Sequence, residues 1–91
     1  MKIEQTASFK RDFKRIKKKQ YRINELKKAV ETLVAQDKDL LSTKYKDHPL
    51  KGQWKGYREL HIQGDWLLIY KIDHKKIILT LTRTGSHDEL L

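Results

Sequence analysis

Three strand-like segments, "YRELHIQ" (57–63), "WLLIYKID" (66–73) and "KIILTLTR" (76–83), lie so close in sequence that only one pairing suits them. Gly64-Asp65 and "DHKK" are the turns between them. A parallel neighbour needs a crossover of about a dozen residues or more. These gaps are far shorter, so the segments form an antiparallel meander. "KIEQT" (2–6) is short and alternating and reads as a first strand.

What lies between must cover the sheet. In "SFKRDFKRIKKKQ" (8–20), Phe9, Phe13, Ile16 and Gln20 form one helical stripe, and Ser8 or Thr6 caps its start. In "INELKKAVETLVAQ" (23–36), Ile23, Leu26, Val30, Leu33 and Val34 follow helical spacing. Only a few residues around Tyr21 separate the two, so they pair antiparallel. The expected fold is α+β, in the order β-α-α-β-β-β. Its two N-terminal helices pack on one face of a small, mainly antiparallel sheet. Residues 37–56, with Pro49, Gly52 and Gly56, read as a long connection of the kind that often carries function.

Ninety-one residues suit one domain, 1–91, with a limited core. There is no cysteine, so neither disulfides nor zinc–thiolate sites are available. No apolar run has signal-peptide or membrane-spanning length, and a soluble, cytoplasmic protein is expected. The net charge is +9, and it is unevenly spread. Residues 1–36 hold eleven Lys/Arg against four Asp/Glu, and the remainder ten against eight. That bias points to a polyanionic partner.

Alternation in "YRELHIQ" turns Leu60 and Ile62 toward the helices and leaves Tyr57, Glu59 and His61 on the other face. In "KIILTLTR" both faces are apolar, so parity does not place Arg83.

Four polar residues gather near one end of this sheet: His48, His61, Asp65 and His87. Singly, each has a bland reading. A histidine beside proline is usually a loop hydrogen-bonder, Asp65 after Gly64 is turn chemistry, and Trp66 is core. Their convergence is what points to a site. No H-x-x-x-H or H-x-H pair is present, so no metal is expected. RNA cleavage fits better. The substrate brings its own nucleophile, the 2′-hydroxyl. Histidines suit the base and acid roles, and Arg83 suits the phosphate. Trp66 and Tyr57 are candidates for stacking on bases.

"YKDHPLKGQWKGYRELHI", "DWLLIYKI" and "RTGSHDELL" resemble the YafQ group of RelE/ParE-superfamily toxins, closely in the C-terminal half and in pattern and length before it. The resemblance implies a RelE-like fold and a ribosome-dependent mRNA endonuclease that cuts in the ribosomal A site without metal or other cofactor. It places catalytic residues at His48, His61, Asp65 and His87. His87 would be the acid, His48 or His61 the base, and Asp65 the group that orients an imidazole. Arg83 and Trp66 fall on substrate positions. Where the family often has a positioning phenylalanine, this chain has Leu91. The implied partners are a DinJ-like ribbon-helix-helix antitoxin, the 70S ribosome with mRNA and rRNA, and operator DNA only through the antitoxin. The alternatives are a ParE-like gyrase inhibitor and a non-catalytic RNA- or ribosome-binding module.

Overall fold

The computed structural model describes residues 1–91 throughout. Its elements are β1 (Lys2–Gln5), α1 (Ala7–Lys18), α2 (Ile23–Ala35), α3 (Lys38–Thr43), β2 (His48–Pro49), a 3-10 turn (Gly52–Trp54), β3 (Arg58–Gln63), β4 (Trp66–Asp73), β5 (Ile78–Ser86) and α4 (His87–Leu90). The sheet order is β1-β5-β4-β3-β2. The meander β3-β4-β5 is antiparallel, as its short turns require, and β1 lies parallel to β5. No helix is long and apolar enough to cross a membrane.

Three helices cover one face. Phe9 and Ile16 of α1, Leu26 and Leu33 of α2, and Leu41 of α3 bury against Leu60, Ile62, Leu68, Leu79 and Leu81 of the sheet. Each such side chain contributes roughly 1.5–3 kcal/mol when fully removed from water. The opposite face carries a small apolar group only: Leu67 and Ile69 of β4 with Leu90 of α4.

The long connection expected at 37–56 is in fact built. Asp37 caps α3 by accepting a hydrogen bond from the Leu40 amide (3.1 Å). Leu41 and Tyr45 then anchor the segment in the core. Six helical residues are too few to show a period, which is why the sequence reads as loop. Lys46 turns the chain through a left-handed conformation (φ 51°). His48 and Pro49 follow as an edge strand, where proline's missing N–H is harmless.

α1 does more than cover. β1 runs beside β5 only as far as Gln5↔Leu81. Beyond it, side chains of α1 and its cap take over the edge of β5. Thr6 donates from its hydroxyl to the Thr82 carbonyl (2.7 Å), and the Thr84 amide donates to Asp12 (3.1 Å). Thr6, not Ser8, is also the helix cap, accepting from the Phe9 amide (2.9 Å). Backbone groups that a strand would have satisfied are satisfied by a helix instead.

Candidate active site

The site grows out of the register of the short strands. Residues directly opposite in an antiparallel pair share a face. His48 lies opposite Glu59, Glu59 opposite Ile69, and Ile69 opposite Arg83. One row therefore crosses β2 to β5 on the face that α1–α3 leave open. The next row is His61, Leu67 and Gly85. A bulge decides where Arg83 belongs. Leu81 pairs with Tyr70 and Arg83 with Ile69, so Thr82 is an extra residue and the side-chain phase flips between Leu81 and Arg83. Leu81 enters the core and Arg83 does not.

Glu59 stands between two imidazoles. Its Oε2 is 3.7 Å from His48 Nε2 and its Oε1 is 3.7 Å from His61 Nε2. The two rings are 6.0 Å apart, centroid to centroid. Glu59 is only 4% exposed, so this carboxylate is largely removed from water beside its two basic neighbours. His48 Nδ1 lies 2.9 Å from the Lys46 carbonyl. A carbonyl can only accept, so Nδ1 carries the proton. In the neutral ring the lone pair is then on Nε2, the nitrogen that faces Glu59. His61 is fixed through its backbone, whose amide donates to the Tyr45 carbonyl (2.7 Å).

His87 sits at the end of β5, where the chain turns back into α4. Ser86 and Glu89 form a capping box. The Glu89 amide donates to the Ser86 hydroxyl (3.3 Å), and the Ser86 amide donates to the Glu89 carboxylate (2.9 Å). Arg15 (3.0 Å) and Lys19 (3.4 Å) of the first helical segment close on the same carboxylate. The Ser86 amide and hydroxyl, then Arg15 and Lys19, hold the Glu89 carboxyl below its ordinary range against a weaker opposing effect of burial. Gly85 leaves room for this fold-back, since a Cβ there would meet Arg15 Nη2 at 3.0 Å and Glu89 Oε1 at 3.1 Å. Leu90 drives into the small apolar group, while the His87 side chain stays 60% exposed. Gly85 is two strands from His61, about 10 Å across the sheet, so His61 and His87 flank β4 at one end.

A family model for the bacterial toxin of the type II toxin–antitoxin system, YafQ, matches residues 1–91. The chain belongs to the YafQ family. The mRNA interferase toxin YafQ of Escherichia coli (strain K12) is 42% identical over 88 residues, which cover 97% of this chain and 92% of that one. The toxin in the E. coli DinJ–YafQ complex is similar in structure, with a TM-score of 0.84 at 39% identity over 98% of this chain and 96% of that one. A metal-bound toxin from Helicobacter pylori has a TM-score of 0.89 at 41% identity, covering 100% and 99%. The α+β, RelE-like expectation agrees with these folds.

Within this YafQ-family frame, two site expectations need correction. Trp66 is 3% exposed and lies on the helix-covered face. Its indole N–H donates to the Thr84 hydroxyl (2.8 Å), and Tyr21 meets the ring edge-on (4.8 Å). A ring so enclosed cannot stack on a base. Asp65 does not orient an imidazole through its carboxylate. It is exposed, and it meets His87 through its backbone carbonyl, which accepts from the His87 amide (3.1 Å). The carboxylate against the imidazoles belongs to Glu59. Leu91 is half exposed (50%), tied by its amide to the His87 carbonyl (2.9 Å). Tyr57 remains on the open face, edge-on to Trp54 (5.4 Å), with the Lys71 ammonium 5.2 Å from its ring.

Glu59 was legible in one respect, because alternation put it on the same face as His61. His48 was a candidate from the sequence, but its strand pairing with Glu59 was not legible, because nothing in "KYKDHPLKG" announces a two-residue strand.

Proposed function

We propose that residues 1–91 form one catalytic domain, an endoribonuclease that cleaves mRNA in the ribosomal A site and so arrests translation. The observation that carries this reading is the buried Glu59 carboxylate set between His48 and His61, on the sheet face that also presents the row to Arg83 and ends at His87.

The chemistry divides among these groups. His48 Nε2 takes the proton from the 2′-hydroxyl as that oxygen attacks phosphorus. The imidazolium so formed lies beside the Glu59 carboxylate. A separation of 3.7 Å is too long for a hydrogen bond, and such pairs tighten when substrate binds. His61, against the other carboxylate oxygen, is positioned to share that proton or to bond a phosphate oxygen. His87, exposed across β4, donates a proton to the departing 5′-oxygen. Arg83 offsets charge on the phosphorus centre. Asp65 contributes by holding the His87 backbone, and Leu91 by offering an apolar surface beside it.

The H. pylori relative is metal-bound. Here His48 and His61 address different oxygens on the two sides of Glu59, and no three His, Asp or Glu are grouped closely enough to hold a metal ion. No step is routed through one. The partner is an antitoxin of the DinJ kind, for which the charge of +9 calls for an acidic contact surface, and the setting is the cytoplasm, among translating ribosomes. Ribosomes enter because they hold the message in line for attack.

The test is cleavage of message in translating extracts by the wild-type chain and by His48→Ala and His87→Ala. Each substitution is expected to lower cleavage by about 10²–10⁴-fold, the usual contribution of a positioned acid or base. Unchanged cleavage in both variants overturns the assignment. Trapped, cleaved DNA with intact message would instead identify a gyrase inhibitor. Equal cleavage of free and ribosome-bound RNA would remove the ribosome from the reading.

A further inference from the structure

Residues 8–20 carry seven basic side chains and one acid, Asp12. That acid is 2% exposed. It falls on the buried stripe, three residues after Phe9 and four before Ile16, where a carboxylate is costly unless it is fully paired. Its pairing is complete. Asp12 Oδ2 accepts from Arg83 Nε (2.7 Å) and from the Thr84 amide (3.1 Å). Oδ1 accepts from Arg83 Nη2 (3.1 Å) and stands 3.3 Å from Arg15 Nη1.

The two Arg83 bonds use one edge of the guanidinium, the Nε–Nη2 edge. A planar guanidinium has five N–H donors in a fixed fork, so Nη1 and the outer hydrogen of Nη2 stay free and their direction is set. Arg83 begins on the open face, in the row of His48 and Glu59. Its free edge is therefore oriented by a carboxylate on a different element. Arg83 is also held more firmly protonated than an ordinary arginine. The Asp12 hydrogen bonds are the leading cause, and they outweigh the opposing effect of burial.

We propose that Asp12 is a positioning residue for phosphate recognition, and that it aims the free guanidinium edge of Arg83 at the scissile phosphodiester. The inference rests on the nuclease reading above. An untethered arginine explores many rotamers and binds phosphate just as strongly in wrong places. Bound on one edge, it is pre-organised for one. Arg15 joins the same network to Glu89 (3.0 Å), so the anchor of Arg83 and the turn that carries His87 are braced against each other.

Asp12→Asn separates positioning from folding. The amide oxygen can still accept from the Thr84 backbone, while the charge and the two-point grip on Arg83 are lost. Single-turnover cleavage by this variant should fall about 10- to 100-fold, the scale of a misplaced reacting group, with KM changed less than about threefold. Arg83→Ala and the double variant Asp12→Asn/Arg83→Ala should cleave equally slowly, because Asp12 acts through Arg83. Additive losses in the double variant, or wild-type turnover in folded Asp12→Asn, overturn the proposal. Full activity in Arg83→Ala overturns it too, and with it the part of the nuclease reading that uses Arg83. Loss in the histidine variants with none in Arg83→Ala would leave the rest of that reading standing. A second measurement works without activity and without a foldable variant. In the wild-type chain, the Arg83 Nε–H proton should exchange slowly with solvent by NMR. Exchange at the rate of a free arginine counts as disproof.

Discussion

On its covered face the sheet buries Leu60, Leu68, Tyr70 and Leu79 against three helices. On its other face the apolar group shrinks to Leu67, Ile69 and Leu90, and Glu59 with its two histidines occupies the neighbouring positions. The two faces come from alternate residues of the same strands. Leu60 and His61 are adjacent in the chain, yet one lies in the core and the other beside solvent. A change on the covered face should act through the folding equilibrium. A change at His48 or His61, on the solvent side of the open face, should act on the reaction and leave folding nearly alone. A two-residue shift along β3 keeps a side chain on its face, and a one-residue shift exchanges the roles.

That division can be broken most strongly from the covered side. Leu68→Ala removes a fully buried side chain and should destabilise by about 2–5 kcal/mol. At about 4–8 °C per kcal/mol in a domain this size, the melting temperature read by circular dichroism should fall by roughly 10 °C or more. Cleavage per folded molecule should be nearly unchanged. A large loss of turnover in protein that is still folded would mean that the two faces are coupled.

Trp66→Phe sharpens the boundary between them. It keeps most of the packing and removes the N–H that donates to Thr84. The expected cost is about 1 kcal/mol, since the Thr84 hydroxyl still donates to the Leu67 carbonyl (2.9 Å). Cleavage should stay within about threefold. If the variant folds normally and cleavage drops more than about tenfold, the indole has a role with substrate that its burial argues against.

The smallest expected effect lies at the C-terminal turn and depends on pH. Glu89 is held below its unfolded pKa by Ser86, Arg15 and Lys19. A carboxyl lowered in this way stabilises the fold fully above its unfolded value, about 4.3, and the gain is lost as pH falls through the lower folded value. Glu89→Gln should therefore unfold at a slightly lower temperature than wild type at pH 7, by less than about 1 kcal/mol at so exposed a site. The two melting curves should converge once pH falls below that folded value. A constant gap at every pH would mean that the side chain acts by packing and not by charge.

The sequence alone determined the meander, because two- and four-residue gaps admit only antiparallel neighbours. It also determined the covering helices, because Phe9–Ile16 and Ile23–Val34 repeat at helical spacing. Local periodicity carries that information, and the YafQ-like motifs added the family. The rest was decided by contacts distant in the chain. His48 joins Glu59 only through a strand two residues long, which no period can announce. Arg83 reaches its face because an extra residue, Thr82, flips the phase of β5. Trp66 is withdrawn from the site because Tyr21 and Thr84 close over it. Asp12 is 71 residues from the arginine it holds. Side-chain parity and spacing are properties of a segment, whereas a bulge, an edge taken over by a helix and a shared carboxylate exist only once separate segments have packed together.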